Sequence, residues 1–142
     1  RLRLFSNSVS PVIVSATIRV LELLIESTER RDKLEDNTKY FRERITEAGL
    51  NVRPGKTPIV PVMLYNAKLA NDMARDMYAQ GIYVIGFFHP VVPKGEARIR
   101  VQLSAAPEPK HIEKCVEAFR KVGEKHGILG LDEKGIVEKY GV

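Results

Sequence analysis

The sequence predicts a small α+β domain in which helices cover one side of a short sheet. Four segments carry apolar residues at helical spacing, and three shorter segments have the apolar run or the alternation of a strand. The predicted elements follow in the order α-α-β-α-β-β-α. The 142 residues contain no repeat and no linker, so we expect one domain of two layers.

Two helices are predicted before the first strand. Ser10 followed by Pro11 has the pattern of an N-cap with proline at the first helical position, and apolar residues recur at helical spacing to about Glu26. A second helix is predicted over residues 29–48, with Gly49 as its stop. Its apolar face is narrow and the rest is charged, so we expect this helix at the surface.

The middle of the chain predicts a strand, a helix and a second strand. Residues 59–64 form an apolar stretch, and Pro61 within it cannot donate to a ladder, which favours an edge strand. Asn66 is placed to cap a third helix that ends at Gly81. Residues 82–85 form a short apolar run and are predicted as the second strand.

The last predicted strand and helix follow a loop. Residues 86–95 contain two glycines and two prolines and are predicted as a shaped loop. Residues 97–104 alternate apolar and polar side chains, as a half-buried strand does. Pro109 opens the final helix and Gly127 ends it. We make no structural prediction for the tail from Gly130 onward.

Composition and charge exclude several classes of protein. The net charge is +5, but in residues 30–47 acidic and basic side chains alternate, which is typical of a solvated helix and not of a phosphate-tracking surface. We therefore expect no nucleic-acid partner. The sequence shows no apolar run long enough to cross a bilayer and no secretion signal, and its single cysteine fits a reducing compartment. We expect a cytoplasmic protein with no membrane partner, and the opening Arg1 indicates a piece of a longer chain.

No catalytic or metal-binding constellation is visible in the sequence. The chain has no Gly-rich phosphate loop and no nucleophile elbow. His89, His111 and His126 stand apart from one another without a ligand spacing. Cys115 falls beside apolar residues of the last helix, where a small half-buried side chain is expected. We predict no metal site.

The polar side of the last predicted strand is a candidate anion site. Arg98 and Arg100 are two residues apart, so both guanidiniums lie on one face of a sheet together with Gln102. A planar guanidinium offers two parallel N–H donors that match a carboxylate. The preceding loop would form one wall of the site. The pattern alone leaves two interpretations open, a solvated outer face and an anion site.

A second candidate lies near the start of the chain. Ser6 and Asn7 precede the predicted N-terminus of the first helix. Hydroxyl and amide groups combined with the free N–H groups and dipole of a helix N-terminus favour phosphate. Ordinary capping explains the same residues, and the pattern alone favours it.

Several segments resemble the C-terminal part of the α-oxoamine synthases, and they occur in the same order. The resemblance covers residues 1–129 and includes, in this sequence, Phe-Ser-Asn-Ser at 5–8, Gly-Ile-Tyr-Val-Ile-Gly-Phe at 81–87, Pro-Val-Val-Pro-Lys-Gly at 90–95, Ala-Arg-Ile-Arg at 97–100 and Ser-Ala-Ala at 104–106. It departs from the family in the opening Arg-Leu-Arg-Leu and in Pro-Glu-Pro at 107–109.

The resemblance implies a fold and an activity. It implies that residues 1–142 are the small C-terminal domain of a fold-type-I, pyridoxal-phosphate-dependent homodimer, with residues 1–10 leading in from a larger PLP-binding domain. Members of the family join an amino acid to an acyl-CoA. The pattern is most similar to members that condense glycine with acetyl-CoA to give 2-amino-3-oxobutanoate and CoA. Members that make 8-amino-7-oxononanoate are similar and remain the alternative.

The resemblance also assigns roles to three residues. It implies that Arg100 pairs with the carboxylate of the amino acid and that Ser6 and Asn7 contact the cofactor phosphate across the dimer interface. The Schiff-base lysine of the family precedes Arg1, so we assign no catalytic residue here and expect the chain alone to be inactive. A non-enzymatic α+β module that binds a small anion stays open as a different class of function.

Overall fold

The computed structural model describes residues 8–141. These residues form a small α+β domain, as predicted, with five helices and three strands: α1 (Pro11–Glu26), α2 (Glu29–Glu47), β1 (Ile59–Tyr65), α3 (Ala67–Ala79), β2 (Gly86–Phe87), β3 (Ala97–Gln102), α4 (Pro109–His126) and α5 (Glu133–Tyr140). The predicted order is confirmed up to α4. Helix α5 is additional.

The three strands form one antiparallel sheet in the order β1-β3-β2. Strand β1 is at the edge, as Pro61 predicted, and Pro61 lies opposite Arg100 of β3. The outer side of β1 is partly covered, because Arg53 N–H donates to the Pro61 carbonyl at 3.1 Å and Met63 N–H donates to the Asn51 carbonyl at 2.8 Å. These bonds limit the open edge that unpaired strands present.

The prediction of a strand at residues 82–85 was wrong. The ladder holds Gly86 and Phe87 instead, opposite Ile99 and Arg98. In residues 82–85 half-buried and exposed side chains alternate, and Ile82 and Val84 pack against the core without a ladder. The apolar run therefore reflects the partial burial of Ile82 and Val84 and does not indicate a strand. Gly86 fits where the sheet meets α3, because an added Cβ there would lie 3.0 Å from the Ala70 carbonyl oxygen.

Helix ends follow the caps that the sequence predicted. The Ser10 hydroxyl accepts from Ile13 N–H at the start of α1, and the Asn66 side chain accepts from Leu69 N–H at 2.8 Å at the start of α3. Gly127 adopts φ +61° directly after α4, a left-handed conformation that glycine adopts without strain.

The core lies between the sheet and the helices α2, α3 and α4. Each helix turns one apolar side inward, and the sheet contributes alternate residues of β1 and β3. The largest side chains with less than 2% exposure include Phe41, Ile45, Leu64, Leu69, Met73, Met77, Ile99 and Phe119. Burial of this kind contributes about 1.5–3 kcal/mol for each large side chain. This core fixes the position of β3, which carries both arginines of the candidate anion site.

The tail folds back on the domain through α5. The Asp132 carboxylate accepts from Gly135 N–H at 2.9 Å and caps the helix, and Ile136 is 1% exposed. Hydrogen bonds that hold the tail include those from the Asn51 side chain to the Leu131 carbonyl, from the Asn66 side chain to the Tyr140 carbonyl, and from Gly130 N–H to the Gly49 carbonyl. The tail is thus an integrated part of this domain.

Helix α1 differs from the other helices because every one of its residues is exposed. Within residues 8–141, no helix is long and apolar enough to cross a membrane.

Candidate functional site

The two arginines of β3 lie on the same face of the sheet but have different environments. The Arg98 side chain is buried and extends along the strand toward Glu96. Its Nε donates to the Glu96 carbonyl at 3.1 Å, and its Nη2 lies 2.9 Å from the Glu96 carboxylate. Arg53 donates to the same carboxylate oxygen at 3.0 Å. Arg98 is therefore neutralised and held in place by this domain itself.

Arg100 is exposed, and none of the carboxylates in residues 8–141 forms a salt bridge or hydrogen bond with it. Its guanidinium lies over the ring of Phe87, 4.3 Å from the centroid. The ring attracts the cation and restricts its orientation without using any of its N–H donors. The arrangement leaves a charged, five-donor group available to an anion from outside the domain.

An open groove of about 390 Å³ lies beside Arg100. One wall consists of residues 82–87, and the floor includes Val101, Gln102 and Cys115. The wall is mostly apolar, so the guanidinium is the charged group that lines the groove. A ligand with a small acid group and an apolar or planar body matches this combination.

Most of the loop predicted over residues 86–95 lies away from Arg100, but Phe87 of that loop lines the Arg100 groove. Residues 88–95 line a separate hollow of about 200 Å³ together with Tyr65, Ala67 and Ala97. Two turns shape the loop, with Val91 N–H donating to the Phe88 carbonyl and Glu96 N–H donating to the Pro93 carbonyl. The expectation that the predicted loop walls the Arg100 groove therefore holds for Phe87 and is corrected for residues 88–95. Residues 82–85, immediately before the predicted loop, provide the rest of that wall.

Ser6 and Asn7, the predicted phosphate contacts, lie outside the described residues. The structure describes the chain from Ser8, and the nearby Ser10 hydroxyl accepts from Ile13 N–H at 3.5 Å. This bond gives Ser10 a capping role. The predicted role of Ser6 and Asn7 stays a prediction.

The surroundings of two histidines and the cysteine indicate structural roles for these residues. His111 Nδ1 accepts from Glu108 N–H at 3.1 Å, which completes the cap of α4. His126 Nε2 lies 2.8 Å from the Asp76 carboxylate and joins α4 to α3. Burial raises the pKa of the Cys115 thiol to about 11, so the thiol stays protonated at neutral pH. From Ser8 to Gly141, no cluster of three metal-ligating side chains occurs.

Sequence reasoning missed two residues that define the site. Glu96 distinguishes the two arginines, and its spacing from Arg98 is a signal, since residues i and i+2 of a strand share a face. The predicted loop ended at Gly95 and the predicted strand began at Ala97, so Glu96 was assigned to neither. Phe87 was treated as a loop residue, although it faces Arg98 across the ladder and contacts Arg100.

The sequence of the chain matches a known protein family. The profile of the aminotransferase class I and II family matches residues 1–119. The chain belongs to this family. The match includes β3 and both of its arginines and ends within α4, so α5 lies beyond the matched part of this aminotransferase-family chain.

Two curated relatives are similar to this chain over most of its length. The chain is 48% identical over 126 residues to 2-amino-3-ketobutyrate coenzyme A ligase of Escherichia coli strain K12, covering 89% of this chain and 32% of that protein. It is 40% identical over 126 residues to 8-amino-7-oxononanoate synthase of Thermosipho melanesiensis, with the same coverage. The chain spans about a third of the length of these relatives.

Solved structures share the fold of this chain. Serine palmitoyltransferase from S. paucimobilis with a bound PLP–myriocin aldimine superposes with a TM-score of 0.80 at 24% identity, covering 88% of this chain and 32% of that one. This likeness confirms the predicted small α+β fold.

Proposed function

We propose that this chain is the small C-terminal domain of a PLP-dependent acyltransferase that condenses glycine with acetyl-CoA to give 2-amino-3-oxobutanoate and CoA. The proposal combines the 48% identity to 2-amino-3-ketobutyrate coenzyme A ligase with the environment of Arg100. In it, residues 1–10 connect to the larger PLP-binding part, and the cytoplasmic enzyme acts as a homodimer. The chain alone, without a Schiff-base lysine, is inactive.

The unpaired state of Arg100 is the observation that carries the proposal. Arg98 shows that this domain can neutralise an arginine on the same face, yet the guanidinium two residues later is left open beside a groove. An exposed arginine with no partner loses nothing by desolvation until a ligand arrives, and a carboxylate can then take two parallel N–H donors.

The residues described here fit the amino-acid end of a PLP site. When bound, PLP withdraws electrons from the amino acid and makes its α-proton acidic. Arg100 holds the substrate carboxylate and so fixes the rotation about the bond between the amino nitrogen and Cα, which sets the direction of the Cα–H bond that breaks. Phe87 restricts the guanidinium, and the apolar wall at residues 82–87 excludes water from one side of the groove. These contributions are positional, since they orient the reactant and move no proton.

The proposal also assigns a cofactor-binding role to Ser6 and Asn7. They contact the PLP phosphate of the partner subunit's site, so each active site takes residues from two chains. Their hydroxyl and amide groups suit phosphate oxygens. A full-length Asn7→Ala variant is expected to bind PLP more weakly, measured by cofactor release during dialysis.

The test of the Arg100 role uses the full-length enzyme. Arg100→Ala is expected to raise the KM for glycine roughly 10- to 150-fold, because a hydrogen-bonded ion pair contributes about 1.5–3 kcal/mol. The KM for acetyl-CoA and the absorbance of bound PLP are expected to stay unchanged. Arg100→Lys keeps the charge but not the planar fork and should fall between the two.

Arg75→Ala serves as the matched control, since Arg75 is an exposed arginine on α3 that pairs with Asp72. Its kinetics should equal those of the unmodified enzyme. Unchanged glycine saturation in Arg100→Ala would refute the proposed role, and carboxylate binding by the isolated chain would favour the anion-binding module.

Formation of 8-amino-7-oxononanoate is the second candidate, favoured by the relative of that name at 40% identity. Assays with acyl-CoA substrates of increasing chain length, each with glycine and with alanine, separate the two. We expect the acetyl and glycine combination to have the highest kcat/KM. A preference for long acyl chains would select the second candidate.

A further inference from the structure

Helix α1 has an apolar surface that is uncovered within residues 8–141. Each of its residues is exposed, and its large side chains reach 85% exposure at Ile25 and 78% at Val12. Single exposed apolar residues are normal on a protein surface, but a contiguous group of this size marks an interaction site. The exposed large apolar side chains of α1 are Val12, Ile13, Val14, Ile18, Val20, Leu21, Leu23, Leu24 and Ile25.

The polar residues of α1 occupy a narrow stripe. Ser15, Arg19, Glu22 and Glu26 follow one another at spacings of three and four, and Arg19 pairs with Glu22 at 3.0 Å and with Glu26 at 3.6 Å. The hydroxyl of Thr17, on the other side, donates to the Ile13 carbonyl at 2.8 Å and so presents no free donor. At about 100° per residue, the apolar side chains extend over roughly two-thirds of the circumference. A helix with such a distribution is normally buried.

We propose that α1 is enclosed by the part of the same polypeptide that corresponds to the remaining two-thirds of the relatives' length. The relatives are about three times as long as the aligned region, which provides a body large enough to cover several sides of a helix. Helix α1 is then the central element of the contact between the two parts of the enzyme. This inference does not depend on the substrate or on Arg100.

A second copy of the chain does not match the shape of this surface. Two paired helices touch along one stripe each, which leaves the other apolar sides of α1 in water. A 16-residue helix is about 24 Å long, and one stripe of it falls short of the roughly 1,200 Å² buried in stable interfaces. A membrane surface would require a broad basic face, whereas the polar stripe of α1 holds one arginine and two glutamates.

Hydrogen exchange on unsubstituted protein tests the proposal directly. The amides of α1 are measured in the 142-residue chain and in the protein extended to the relatives' length. An isolated helix of this length is marginal in water, so we expect fast exchange in the shorter chain and exchange slower by on the order of 100-fold in the longer one. Equal rates in the two proteins would overturn the proposal.

Two further outcomes would also overturn it. Protection of α1 in the 142-residue chain that rises with protein concentration would identify a second copy as the occupant. Protection that appears on adding phosphatidylglycerol vesicles would identify a lipid surface.

Substitutions on different sides of the helix test how far the enclosure extends. Val20→Glu and Ile25→Glu project from well-separated sides of α1, and each is expected to lower the Tm of the longer protein by several degrees while leaving the 142-residue chain unchanged. Glu22→Gln, on the polar stripe, is the control and should change neither protein. If one of the two apolar positions tolerates glutamate in the longer protein, enclosure on several sides is wrong.

Discussion

The helical layer and the outer face of the sheet differ in whether their charged side chains form ion pairs. In the helical layer they pair with one another. Arg44 on α2 contacts Glu113 on α4 at 2.8 Å and Glu47 at 2.6 Å, and Lys125 contacts both oxygens of Asp76 at 2.8 Å. On the outer face of the sheet, Arg100 has an aromatic ring beneath it and no carboxylate from residues 8–141.

The pairs of the helical layer serve the fold. The Arg44 guanidinium, followed by the Tyr40 hydroxyl, holds the pKa of Glu113 below its ordinary value. The Lys125 ammonium and the His126 ring do the same for Asp76. In both places one helix supplies the cation and another the carboxylate. The difference teaches that charges paired between elements of the domain contribute to its assembly, whereas Arg100, which is unpaired and lies beside a groove, is available to a ligand.

Glu96→Ala has the largest expected effect on stability. It tests directly whether Arg98, unlike Arg100, depends on a carboxylate of this domain. The change leaves the Arg98 guanidinium buried without its carboxylate. We expect a loss of about 2 kcal/mol in the free energy of unfolding, measured by urea denaturation of the 142-residue chain.

Arg100→Ala is the matched comparison and should lower that free energy by at most about 0.5–1 kcal/mol, because its guanidinium is exposed and loses only the cation–π contact with Phe87. If both variants lose equal stability, the two arginines have the same structural role and the distinction between them is wrong.

The pH dependence of stability tests whether the ion pairs of the helical layer stabilise the fold. The native pKa of Asp76 lies below its ordinary value, so the unfolded chain takes up a proton first as the pH falls. Stability from this group is complete above about pH 5 and declines as the pH falls below about 4. Asp76→Asn should cost about 1 kcal/mol at pH 7 and flatten the acid decline.

Urea denaturation between pH 3 and pH 7 measures this effect. Glu113 and Asp72 also have lowered pKa values and will keep part of the slope in the variant. An unchanged slope in Asp76→Asn would show that the pair between α3 and α4 contributes nothing to acid sensitivity.

Phe87→Leu has the smallest expected effect. Loss of the ring beneath Arg100 should raise the KM for glycine about two- to fivefold in the full-length enzyme, since an exposed cation–π contact contributes about 0.5–1 kcal/mol. Phe87→Tyr keeps the ring face and should restore the original KM. Leucine and tyrosine variants with the same KM would mean that the ring does not orient the guanidinium.

Local signals were sufficient for most of the fold. Ser10 with Pro11, Asn66, and Gly127 predicted helix ends because a cap depends on a few neighbouring residues. The alternation at residues 97–104 placed β3 for the same reason. Of the candidate site, Arg100 was predicted, because its strand pattern and the family resemblance both indicated it.

The features that depend on distant partners were not predicted. The position of β2 is set by pairing with β3, and burial of Ile82 and Val84 gave the same apolar pattern as a ladder. The pairing of Arg98 depends on how the chain turns at Glu96. Helix α5 had a usable signal in Asp132 and in the four-residue spacing of Ile136 and Tyr140, but glycines around it obscured the periodicity.

The contact between Gly49 and Gly130 constrains how this tail can vary among related sequences. A Cβ on Gly49 would lie 2.9 Å from the Gly130 nitrogen, which donates to the Gly49 carbonyl at 2.8 Å. Gly49 also has φ +84°, so any other residue there is strained. Homologues that carry a side chain at position 49 must therefore route their C-terminus differently, and the residue at that position should co-vary with the presence of the final helix.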